Sequence, residues 1–569
     1  MGSGNSEPNP NSRIPSPGRS VAGHLATVLI IASFVILPGL GNPTLWEPDE
    51  PRFAEATRQM FERSDFVTPY LNGAPRFEKP ILLYWLQAAS FRVVGFTELG
   101  ARLPAALAGI GAVFVLYLLG SHVTSRRAAL LAALAMSTMF RFVTLARIGL
   151  TDVPVLFFIV GALYGFIRGS NRRSAAPLLF AWLCVGLGML TKGPVGLLPV
   201  AIWTTYAAFS RDARLFANVR PAIGMSVALA VALPWYIVMV AEHGRAFIDF
   251  ALGHEIIERF VSEASFAPAR GFFYYLKVWP GDAAPWSVLF ITAVIWAAWK
   301  WSAIDRTTRQ AIVLALAWFV CVFVLFSLSR SKIAHYVLPA YPAAALLIGV
   351  FVDRIAQTTD NALWWRLPMG AIAFVSMVAA AVTAVLLNGL VAGDDPVARW
   401  LVPVVLMMGA AAVAWATWKH ALIPAAYALS GMLAFVFAVI GLIIVPRVIE
   451  PFKPMPRLAR EAARVAQAGT PIGLLGRYGI SSVVYYSRHD VLPLEDDDAA
   501  VAFLSTNTSA LCIMPASDFQ RLAPRLKSVD VIARAEEFNV RIEVLERQKP
   551  SGREWVLVKA RYEIPPFRP

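Results

Sequence analysis

Charge is scarce in this chain, and cysteine scarcer still. Of 569 residues only 15% are Asp, Glu, Lys or Arg, against about 25% in soluble globular proteins, which excludes a water-soluble body. Three cysteines, Cys184, Cys321 and Cys512, lie far apart with no CxxC spacing. Neither a disulfide framework nor a thiolate metal site follows from them, and buried structural thiols are expected. There is no nucleotide-binding fingerprint or Walker loop, and no internal repeat of the kind that builds inverted-repeat transporters. The first apolar run lacks a small-residue cleavage site, so it reads as an anchor.

What the chain has instead is apolar length. Apolar residues make up 57% of it, in runs that approach the 17–25 residues needed to cross a bilayer. Candidate spans centre on residues 21–40, 101–121, 128–145, 153–168, 176–190, 194–209, 221–241, 285–300, 310–328, 336–352, 367–391, 400–417 and 421–445. The expectation is an α-helical polytopic membrane protein of about thirteen helices. With the N-terminus placed in the cytoplasm, the inside loops hold 16 Lys or Arg against five acids, while the first outside loop, 41–80, holds five basic and seven acidic residues. That asymmetry sets the orientation, and an odd span count then puts the C-terminus outside. The net charge of +14 is thus a topology signal, with no nucleic acid implied.

Three domains are expected. Residues 1–20, rich in Ser, Pro, Gly and Asn, form a disordered cytoplasmic tail. Residues 21–445 form the membrane domain, with long outside loops at 41–100 and 242–284. Residues 446–569 change composition and carry no spanning run. There "PRLAREAARVAQAG" reads as an amphipathic helix and "PIGLLG", "ALCIMP" and "EWVLVKARY" as strands, giving a small α/β domain. In the first outside loop, "EPRFAEATRQMFER" and "PILLYWLQAASFRVVG" read as amphipathic helices, the second lying on the outer surface.

The chemistry gathers at the outer face. Asp49, Glu50, Glu78, Lys79, Arg147, Asp152, Lys192, Arg259, Arg270, Arg330, Lys332 and Tyr336 all fall at outside ends of spans, where the basic members run against the positive-inside bias. Guanidinium groups bind phosphate bidentately, so the cations point to a lipid phosphate or pyrophosphate. The bland alternatives are a lysine snorkelling from a helix start, Asp49 acting as a helix cap, and Lys192 pairing with Asp152.

The order "PDE..F", "FEKP...YW", "AR.GLTD", "TKGP", "ERF" with "YYL", and "FS.S..K...Y.LP.YP" over about residues 40–345 resembles the polyprenyl-phosphate-sugar-dependent glycosyltransferases of the membrane-integral GT-C fold. Within them the length, span count and small outer domain look most like the lipid A aminoarabinose transferases. Those enzymes move 4-amino-4-deoxy-L-arabinose from undecaprenyl phosphate onto lipid A phosphates and confer polymyxin resistance. The resemblance implies a multi-pass protein of the bacterial inner membrane with a periplasmic active site, a lipid-linked donor, a lipid A acceptor and a monomeric state. It implies Asp49 and Asp152 as catalytic carboxylates. Glu50, Lys79, Tyr84, Arg259, Arg270, Lys332 and Tyr336 would bind substrate. No cofactor is required by it. Glu78, His254 and His335 nonetheless form a candidate structural zinc set, because carboxylate and imidazole suit that ion. Related enzymes that move mannose or arabinose share the motifs, and a lipid transporter or a membrane-anchored scaffold would be alternatives of a different class.

Overall fold

The computed structural model describes residues 17–172, 174–251, 253, 270–358, 362–391, 394–467, 469–507, 509–526, 529–537 and 553–561. Among them, nine helical stretches are long and apolar enough to cross a membrane, and two bent pairs, Arg126–Ser137 with Phe140–Ala146 and Tyr274–Asp282 with Trp286–Trp299, bring the number to as many as eleven. The first apolar helix is shorter, Val21–Ile36. The stretches expected at 176–190 and 194–209 are two α-helices, Ala175–Lys192 and Leu198–Phe209, joined by a 3-10 turn within one apolar stretch, and they are not one rod. Phe166 packs against both Trp182 (edge to face) and Trp203 (tilted), at ring-centroid distances of 5.2 and 5.7 Å, whereas 21 residues of straight helix would part those tryptophans by about 31 Å. The chain folds back at "GPVGL" (Gly193–Leu197), where Gly193 has a positive φ of 57°. Gly196 there lies so close to the preceding turn that a Cβ would sit 2.2 Å from the Met189 nitrogen.

The two amphipathic segments of the first outside loop are helices Asp49–Arg63 and Leu82–Val94. In the first, Phe53, Ala56 and Met60 recur at helical spacing and are buried, and Asp49 and Glu50 occupy the first turn, where the helix dipole favours anions. Its other face is buried as well. Glu55 is fully enclosed, accepting from Arg58 at 2.6 and 2.8 Å and from Gln59 at 2.9 Å. A short hairpin, β1 (Tyr70–Leu71) and β2 (Ala74–Pro75), follows. It delivers the chain to Glu78 and Lys79.

Beyond the last span lies a five-stranded mixed sheet of β3 (Ile472–Leu475), β4 (Val491–Leu494), β5 (Leu511–Pro515), β6 (Val529–Glu537) and β7 (Arg553–Ala560), in the order β4-β3-β5-β7-β6. The three strands expected from the sequence are β3, β5 and β7, and the amphipathic helix is Pro454–Val465. One apolar cluster joins this domain to the membrane domain: Leu45, Ala54, Phe91 and Ala101 pack with Tyr485.

The connection that fixes the outer loop is an ion pair. Glu50 and Arg102 are 1% and 0% exposed and meet at 2.8 Å. Arg102 spends all five N–H donors, two on Glu50 and three on the carbonyls of Leu40, Pro43 and Thr44. Glu50 also accepts the backbone N–H groups of Trp46 and Gly149, each at 2.7 Å. Arg147 adds a second brace, donating to the carbonyls of Val35, Ile36 and Pro38 at the open end of the first helix.

Removing one partner of such a pair leaves a buried charge uncompensated, at a cost of about 3–5 kcal/mol. Arg102→Met is therefore expected to lower the thermal unfolding temperature in detergent sharply, and Arg102→Met with Glu50→Gln to recover part of the loss. A single variant as stable as the parent would contradict the assignment.

Candidate functional site

A cavity of about 290 Å³ opens at one end of the helices, on the side of the C-terminal domain. Its polar groups come from four places. Lys79 lies at the end of the loop after β2, Asp152 begins helix Asp152–Arg172, Lys192 ends helix Ala175–Lys192, and Tyr336 sits in the turn Ala334–Ala340. Helix geometry explains two of these placements, since a carboxylate suits a helix start and an ammonium a helix end. Lys192 donates to Asp152 at 2.7 Å, with both side chains largely buried, and lies 5.5 Å from the Tyr336 ring. Nε2 of His335 is 3.8 Å from the same Asp152 oxygen. The rest of the wall is apolar, supplied by Phe77, Trp235, Tyr236, Phe247 and Phe326.

The mouth is charged. Lys79 donates to the Glu78 carbonyl at 2.9 Å. The Glu78 carboxylate is held by Arg76 at 2.6 Å. Burial would raise the Glu78 carboxyl, but Arg76, Arg52 and Lys79 outweigh it and hold it below the usual carboxylate range. Arg76 is itself buried, stacked 4.7 Å from the Phe53 ring. Asp49, half exposed and 3.4 Å from Arg52, acts on Arg76 from the start of its helix. Two lysines, Lys79 and Lys192, face two carboxylates, Glu78 and Asp152, in the lining, and Arg76 is bound to Glu78 just behind it. An amphiphile with an anionic head and an apolar tail matches both the ammonium groups and the walls.

The sequence-derived residues divide accordingly. Lys79, Asp152 and Tyr336 line the cavity, and Glu78 and His335 stand at it. Asp49 stands at the loop above. Glu50 does not meet the cavity: its oxygens are taken by Arg102 and two backbone amides, so it is corrected from a substrate-binding residue to a structural one. Tyr84 is fully buried against Phe53, in the core beneath the loop and away from the lining. Lys332 is buried and straps two loops by donating to the carbonyls of Arg270 and Ser329. Arg270 is exposed, its guanidinium 4.3 Å from the Tyr274 ring. Arg259 and His254 lie outside the described residues. Of the candidate zinc set, Glu78 is committed to Arg76, and among the described residues no three His, Cys, Asp or Glu side chains converge on one point. Two contributors escaped the sequence reading: Arg76, because nothing in "PRFEKP" signals a buried arginine, and the aromatic wall from helix Pro221–Ile248, because an apolar residue in a span carries no mark of facing a cavity.

A family model for dolichyl-phosphate-mannose-protein mannosyltransferases matches residues 78–238, which hold Glu78, Lys79, Asp152, Lys192, Trp235 and Tyr236 of the cavity lining. An uncharacterised protein of Aquifex aeolicus is 30% identical over 307 residues, 54% of this chain and 68% of that one. The undecaprenyl phosphate-alpha-4-amino-4-deoxy-L-arabinose arabinosyl transferase of Pectobacterium carotovorum is 27% identical over 365 residues, 62% of this chain. That match spans 64% of the relative, less than two thirds of its length. Among solved structures, ArnT from Cupriavidus metallidurans bound to undecaprenyl phosphate superposes with a TM-score of 0.73 at 23% identity, covering 95% of this chain and 98% of that one. The fold is thus shared over nearly the whole chain, the relatedness in sequence runs through the residues of the cavity, and the chain belongs to the membrane-integral glycosyltransferases of the GT-C fold.

Proposed function

We propose that the protein transfers 4-amino-4-deoxy-L-arabinose from undecaprenyl phosphate onto phosphate groups of lipid A at the periplasmic face of the bacterial inner membrane. The observation that carries the lipid-phosphate donor is the amphipathic cavity, apolar in its walls and with the ammonium groups of Lys79 and Lys192 at its polar end. The sugar and its undecaprenyl phosphate carrier are supported by the names of relatives, and lipid A as acceptor follows from the resemblance drawn from the sequence motifs.

The donor's phosphate sits at Lys79 and its polyprenyl chain follows the aromatic wall towards the bilayer. In the reaction the bond from the anomeric carbon to the donor phosphate oxygen breaks, and its electron pair leaves with undecaprenyl phosphate. An oxygen of the lipid A phosphate forms the new bond to that carbon. Lys79 stabilises the charge gathering on the leaving phosphate. Asp49, at the start of its helix beside Arg52, is the carboxylate that offsets the positive charge developing at the sugar or holds its ammonium group. A phosphate monoester acceptor already carries about −1.5 to −2 charges near pH 7 and needs little deprotonation. The Lys192–Asp152 pair supplies a fixed dipole at the cavity floor.

Purified protein given undecaprenyl-phosphate-linked aminoarabinose and lipid A in detergent should form modified lipid A, read by mass spectrometry. Asp49→Asn should fold normally and lose on the order of 100-fold or more in rate. No product from the parent, or full activity in the variant, would sink the corresponding part. A charge-assisted hydrogen bond contributes about 1.5–3 kcal/mol, so Lys79→Ala should weaken undecaprenyl phosphate binding at least about tenfold. Unchanged affinity would move the phosphate away from Lys79. For the orientation, a cysteine at the exposed position Leu492 should react with an impermeant thiol reagent in intact spheroplasts. Labelling only after lysis would reverse the topology.

A further inference from the structure

The proposed reaction leaves the C-terminal domain without a task, yet that domain grips both loops that carry the reactive groups. The first loop is 44–50. Thr44 N–H donates to Glu450 at 3.1 Å, and the Lys453 ammonium donates to the carbonyls of Thr44 and Leu45 while lying 4.3 Å from the Trp46 ring. Leu45 N–H donates to the Tyr486 hydroxyl at 2.8 Å, and Ser482 N–H donates to Glu47 at 3.2 Å. Four successive residues are therefore held from the C-terminal side, and the chain enters the Asp49 helix two residues later.

The second loop is the β1–β2 hairpin. Its Asn72, at a positive φ of 52°, donates its amide to the Val491 carbonyl and accepts the Val491 N–H, both at 2.8 Å. Val491 begins β4, the edge strand of the five-stranded sheet. The Asn72 carboxamide thus occupies the place of one more strand residue and satisfies a donor and an acceptor that an edge leaves open. Four residues on lies Arg76, then Glu78 and Lys79.

We propose that the C-terminal domain is a positioning element of the transferase site, with Tyr486 setting the Asp49 loop and Asn72 setting the Glu78–Lys79 loop. The proposal rests on the roles given above to Asp49 and Lys79. Neither Tyr486 nor Asn72 touches substrate; each acts through the loop it holds. Displacing a reactive group by about 1 Å costs on the order of 100-fold in rate, so a docked domain can govern turnover without contributing a reacting atom.

Tyr486→Phe removes one hydroxyl and keeps the ring. It should speed hydrogen–deuterium exchange in residues 44–50 and lower kcat about tenfold, with undecaprenyl phosphate affinity unchanged. Asn72→Ala should do the reverse: faster exchange in residues 70–80 and about tenfold weaker undecaprenyl phosphate binding, with a smaller change in kcat. Asn72→Asp keeps the acceptor, loses the donor and should fall between; it serves as the mild variant if the alanine does not survive purification. Arg488→Ala, at the same interface but on neither loop, should leave kcat and affinity at parental values. Faster local exchange with parental kinetics in both variants would overturn the proposal. So would parental exchange in both, or an equal loss of kcat and affinity across all three sites, which marks undirected loosening. Exchange and phosphate-lipid binding need no sugar, so they report on the proposal even if the sugar assignment fails.

Discussion

One buried carboxylate ties the reactive parts of this protein together. Glu50 accepts from Arg102 in the helix Glu98–Val123, from Trp46 in the loop before its own helix, and from Gly149 in the turn that precedes Asp152. Its neighbour is Asp49, and three residues beyond Gly149 stands the carboxylate of the cavity floor. A single charge thus sets the separation of the two acids assigned to the chemistry. Such a pair pays for its desolvation only when every remaining donor is used, and Arg102 uses all five.

Much of this was legible in the sequence. Apolar runs announced the helices, because a bilayer leaves the backbone no other way to satisfy its polar groups. The cations and carboxylates at the outer ends were legible because they sit where membrane energetics disfavour them. Asp152 and Lys79 were found on that ground, and they do meet at the cavity. Glu50 was misread because a carboxylate in a loop looks alike whether it faces substrate or a buried arginine; its partner is 52 residues away. Tyr84 was misread similarly, since an aromatic residue at the surface end of an interfacial helix can turn into the core. Arg76 was missed outright. The fold-back at Gly193 agrees with the two separate spans expected on either side of "TKGPVG".

The site is a division of labour between solvents. Below the mouth, Phe77, Trp235, Phe247 and Phe326 supply an apolar wall of the kind a lipid chain would lie against. At the mouth, the Lys79 ammonium stands where the apolar wall ends, beside a Glu78 carboxylate already taken by Arg76. The C-terminal domain meets both loops mainly through their backbone and the Asn72 amide.

The central claim is that the lipid phosphate binds where the apolar wall meets Lys79. An experimental map of the protein with undecaprenyl phosphate bound tests this most directly. The account predicts phosphate density within about 3 Å of the Lys79 ammonium, with the chain running past Trp235 and Phe247. Phosphate density elsewhere, with the cavity left to solvent, would contradict it.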